Sequence, residues 1–152
     1  MPVPDATLSA LRWVRDDYRD LVASATQSGL RAGTAGTRWT NRELLFHMWF
    51  GQRIARVFIP LLGLFGRLPR PASAAYSRLL TALTRPYGWV NYIAPVGGAR
   101  LLDPARVQRW MDKDSDWLLA WASRASEDQL NRGMVVPVTW DPYFSAWMTR
   151  AD

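Results

Sequence analysis

Cysteine is absent from all 152 residues, and that one absence excludes disulfides, thiolate zinc sites, cysteine nucleophiles and thiol redox motifs. Histidine occurs once, at His47, and lysine once, at Lys113. No long apolar run is present either. The most apolar stretch, Val57 to Phe65, is interrupted by Pro60 and Gly63 and falls far short of the roughly 20 residues a membrane-spanning helix needs. The N-terminal MPVPDATLSALRWVRDDYRD has no basic leader followed by an apolar core, so no secretory signal is read, and a cytoplasmic location is expected. No serine sits in a G-x-S-x-G elbow. The glycine-rich RAGTAGTR lacks both the spacing and the lysine of a phosphate-binding loop, and reads as a connection.

Arginine, tryptophan and apolar residues are what the chain has. Its 49% hydrophobic content over 152 residues suffices for one core and not two, so residues 1–152 are expected to form a single domain. The balance is basic, 19 Lys+Arg against 13 Asp+Glu. The arginines are spread among acids rather than gathered into a stripe, so nucleic acid is not the expected partner.

The apolar spacing predicts an all-α chain. Leu11, Val14, Tyr18, Leu21, Val22 and Ala25 recur at three- and four-residue steps and predict an amphipathic helix over residues 5–25. Gly29, Gly33 and Gly36 then predict a loop. Thr40-Asn41-Arg42-Glu43 has capping-box spacing, so a second helix is expected to start there and run to Pro60. A short helix is read over residues 72–83 with Tyr76, Leu79, Leu80 and Leu83 inward, followed by an aromatic connection, RPYGWVNYIAPVGG. Asp103-Pro104 places a cap before a first-turn proline, predicting a helix to about Ala122 with Trp110, Trp117 and Trp121 on its apolar stripe. Ser126 and Gln129 cap a further turn or two. Residues 135–139 are expected to be an extended link, and Asp141-Pro142 to start a last helix.

Two polar residues intrude on these apolar stripes. His47 lies on the inward face of the second helix, where it is either a core histidine satisfied by a hydrogen bond or a metal ligand. Asp114 lies between Met111 and Trp117 on the stripe of the Asp103 helix. It either meets solvent or, if the two helices pack face to face, orients His47 as a carboxylate behind the ligand.

Thr37-Arg38-Trp39-Thr40-Asn41-Arg42-Glu43-Leu44-Leu45-Phe46-His47-Met48 resembles the start of the second helix of DinB-like proteins, where W-[ST]-x-x-E-L-L-x-H brings in the first metal-binding histidine. Gly133-Met134, Thr139 to Phe144 and Met148-Thr149 are similar to the segment leading into that family's last helix. The resemblance implies an antiparallel up-down helical bundle. It also implies a divalent metal, zinc or nickel, held by three histidines, and relatives that are thiol S-transferases using mycothiol or bacillithiol. Only His47 can be carried over as a metal residue, because the H-x-x-x-H of the family's last helix has no counterpart in residues 1–152. The expectation is therefore a DinB-like domain shortened at its C-terminus, related to metal-dependent thiol transferases but impaired or inactive. Its partners would be a small thiol or electrophile and a second copy in a homodimer. The alternative is a non-catalytic helical binding or interaction module.

Overall fold

Asp5–Ser24 forms the first helix, α1, in a computed structural model that describes residues 3–140 and 144–151. Tyr18 is the side chain α1 buries completely, and its hydroxyl donates to Leu45 O at 3.0 Å. Burial pushes the phenol's pKa up, since a phenolate there would lose its hydration. Val14 and Leu21, expected inward, are exposed. The glycine-rich loop holds a short helix, α2 (Gln27–Arg31), capped by the Thr26 hydroxyl.

The capping box forms as expected. Thr40 Oγ1 accepts from Glu43 N at 3.3 Å while Glu43 Oε2 accepts from Thr40 N at 2.8 Å, and α3 (Asn41–Phe65) begins there. It does not end at Pro60. A proline inside a helix costs about 3 kcal/mol, but Leu62, just beyond it, is buried against Met134 and Val136 with Phe58 and Phe65 packed alongside. Full burial of such side chains contributes about 1.5–3 kcal/mol each, so tertiary packing carries the helix past its break.

Helix α4 (Arg70–Ala82) follows, near its expected range but with another face inward. It buries Ser73 and Ser77 and leaves Leu79 and Leu83 exposed. The serine Oγ of residue 73 donates to Arg70 O at 3.0 Å, so the hydroxyl is satisfied locally and a small side chain can sit at a close contact. The expected aromatic connection is instead a helix, α5 (Thr84–Leu101). Pro86 falls in its first turn, where the missing amide has no partner to lose. Pro95, inside the helix, is buried.

Helix α6 (Pro104–Ala122) starts at the Asp103 cap as expected, and α7 (Glu127–Leu130) at the Ser126–Gln129 capping box. The buried stripe of α6 is Val107, Met111, Asp114, Ser115, Leu118 and Ala122. Its tryptophans 110, 117 and 121 flank that stripe, half-buried.

The C-terminal segment departs from expectation. Gly133–Val135 forms β1 and pairs antiparallel with β2 (Trp147–Thr149), with Met134 opposite Met148. Asp141 and Pro142 lie outside the described residues, but from Phe144 on the chain is extended rather than helical. The pairing satisfies backbone groups on both strands. It also places Met148 against Leu62, Met134 and Val136, which a helix there would not reproduce.

Helix α6 packs against both α1 and α3, with α5 against α3. One core cluster joins Tyr18, Phe46, Trp49, Ala99, Val107 and Met111; a second, around Leu62 and Met134, lies where α3 meets the two strands. Among the described residues no helix is long and apolar enough to cross a membrane.

Candidate functional site

Trp49, Arg53 and Arg56 recur at steps of four and three along α3, which puts them on one face. That face meets Asp114 of α6, and the carboxylate is completely buried. Trp49 Nε1 donates to Asp114 Oδ2 at 3.1 Å and Arg56 Nη1 to Oδ1 at 2.6 Å. Arg53 Nε lies 2.9 Å from Oδ2, an ion pair whose N–H is not aligned for a hydrogen bond. Both guanidiniums also stack on tryptophans, Arg53 on Trp49 and Arg56 on Trp117. Asp114 is thus inward, as one sequence reading had it, but it serves Arg53, Arg56 and Trp49. No hydrogen bond joins it to His47.

His47 sits elsewhere on α3. Its ring lies 4.4 Å from the Trp39 ring, centroid to centroid, and Nδ1 is buried without a hydrogen-bond partner. Desolvation lowers the imidazole's pKa from 6.5, and no carboxylate acts on it. Among the described residues no group donates to or accepts from His47 Nδ1.

With the folded pKa below 6.5, the unfolded chain binds the proton more readily, so stability is full above that pH and falls as pH drops through it toward the folded value. Replacing His47 by Gln is expected to remove this component. Urea titrations at pH 8, 6.5 and 5 check it: the stability difference between the wild type and His47→Gln should shift against the wild type as pH falls, and a constant difference would refute it.

His47 faces a cavity of about 720 Å³. Along α3 the lining runs from His47 through Gly51, Ile54, Ala55 and Phe58 to Leu62, on the order of 22 Å of helix at 1.5 Å per residue. Leu11 of α1, Asn91 of α5, Leu118 and Trp121 of α6, Leu130 of α7, and Met148 and Arg150 at the C-terminal strand close the other sides. The walls are mostly apolar, with a few polar groups converging on the space, as in small-molecule sites generally. Sequence reasoning found His47 but missed Arg150, which belongs to the segment read as helix. It also missed the cavity, which six separate elements build.

A family model described as the DinB superfamily matches residues 10–152. The chain belongs to the DinB superfamily. No curated protein and no solved structure matches it significantly.

The three-histidine metal that resemblance to this superfamily implies can be tested against the residues themselves. His47 is the chain's single histidine, and among the described residues no three His, Cys, Asp or Glu side chains come together. Asp114 is already engaged by two arginines and an indole. A catalytic zinc ordinarily takes three protein ligands, and the described part of this DinB-superfamily chain does not fit one.

Proposed function

We propose that the chain is a non-catalytic binding domain of the DinB superfamily whose cavity takes a small, largely apolar organic molecule. The cavity carries this reading. Its volume of about 720 Å³ lies within the roughly 300–1,000 Å³ of ligand pockets, and its walls are mostly apolar with a few polar groups, as such pockets are. His47 Nδ1, buried and without a partner, is a hydrogen-bonding group available to a ligand's polar atom. The transferase activity and its mycothiol- or bacillithiol-type thiol rest on the family resemblance alone, and the metal step they use finds no matching donor set among the described residues.

Calorimetric titration with 1-decanol tests the reading. Saturable binding near one equivalent is expected, weakened about tenfold or more by Ala55→Phe, whose ring would occupy the cavity. Absence of saturable binding to the folded wild type would overturn it. So would zinc or nickel held at one equivalent and lost in His47→Ala.

A further inference from the structure

The cavity has a charged end. Arg150 lines it, half-buried, with Nε donating to Ile59 O at 2.9 Å and the guanidinium carbon 5.7 Å from the Trp121 ring centroid. The guanidinium occupies the space where a Cβ on Gly63 would stand, so the missing side chain of Gly63 forms its seat. No carboxylate among the described residues is paired with it. Burial lowers the pKa of Arg150, and the like charges of Arg132 and Arg67 lower it further. Arg132 has its own partner, Asp128, at 2.5 Å, and the carboxylate in the cavity lining, Glu127, is exposed. A seated, partly desolvated cation among other cations, with free N–H groups, is a receptor for an anion.

Building on the cavity reading above, we propose that the ligand is an amphipathic organic acid. Its carboxylate meets Arg150, and its apolar body lies along Phe58, Leu118 and Trp121. Arg132 and Arg67 add long-range attraction, and Trp121 forms a wall shared by headgroup and tail. The His47 end receives the ligand's far side.

Titration with decanoate and 1-decanol, which share a chain and differ in the headgroup, tests this. In the wild type at low salt, decanoate should bind on the order of tenfold tighter than decanol, as a charge-assisted pair would give, and the preference should shrink with added salt. Arg150→Met should abolish the preference, lowering decanoate affinity far more than decanol affinity. Because Arg150 also bonds Ile59 O, a thermal melt of that variant is run alongside. Should it fail to fold, Gly63→Ala decides, since its methyl displaces the guanidinium from its seat and should weaken decanoate far more than decanol. Equal binding of both ligands by the wild type, or a decanoate preference that survives both variants, overturns the assignment to Arg150 while leaving the cavity reading intact. Binding of neither ligand overturns the cavity reading itself.

Discussion

Asp114→Ala should lower the stability of the fold by about 3 kcal/mol, at the low end of the 3–5 kcal/mol that follows removal of one partner from a buried ion pair. The carboxylate is fully buried and accepts from Trp49 and Arg56, with Arg53 paired beside it. Its removal leaves an indole N–H and two guanidiniums facing a void in the α3–α6 contact. Arg53 and Arg56 keep 40% and 33% of their side-chain surface exposed, so they can turn outward to water, which holds the loss below the upper end of the range. The indole of Trp49, buried at 9% exposure, has no such escape. Asp114→Asn should recover only part of the loss, because the amide nitrogen it introduces is a donor among donors. Urea unfolding followed by tryptophan emission measures both, and a change under 1 kcal/mol for Asp114→Ala would show that the network contributes little. The double-mutant cycle with Arg56→Met apportions the pair.

That network illustrates what could be read in the sequence and what could not. The helix starts at Thr40, Asp103 and Ser126 were legible because each depends on a side chain and a backbone amide no more than three residues away. Asp114 could be placed on an apolar stripe for the same local reason. Its partners could not, since which face of α3 meets α6 is a tertiary fact, although the spacing of Trp49, Arg53 and Arg56 carried the signal. Helix α5 was misread because its prolines and glycines are individually stop signals. Pro86 lands in a first turn, Pro95 is covered by packing, and Gly98 serves a close helix contact, none of which composition reveals. The C-terminal strand was hidden behind a strong helix-start signal at Asp141-Pro142, and Arg150 was lost with it. His47 stood out in the sequence as a polar intrusion, whereas the cavity it faces required six elements to be in place.

Gly98→Ala separates local propensity from tertiary fit most sharply. In an exposed helix the substitution should stabilise by about 0.5–1 kcal/mol, because alanine loses less backbone freedom on folding. At Gly98 of α5 the opposite is expected. A Cβ there would overlap the far edge of the Phe46 ring, touching Cζ, Cε1 and Cε2. Phe46 cannot yield easily, being buried and set edge-on against Trp49 at 5.1 Å and stacked with Phe50 at 6.5 Å. Overpacking of this kind costs typically about 1–3 kcal/mol; with the ring held by two neighbours, a net loss of about 2 kcal/mol is expected after the propensity gain. The adjacent Gly97 is the control, since a Cβ there meets nothing within 4 Å, and Gly97→Ala should stabilise by the ordinary helical increment. Phe46→Leu, which removes the obstructing edge, should make Gly98→Ala far less costly than in the wild type. Thermal unfolding of the two alanine variants, alone and with Phe46→Leu, reads the signs directly: if both glycine substitutions stabilise the chain, α5 does not approach α3 as closely as the Phe46–Gly98 contact requires.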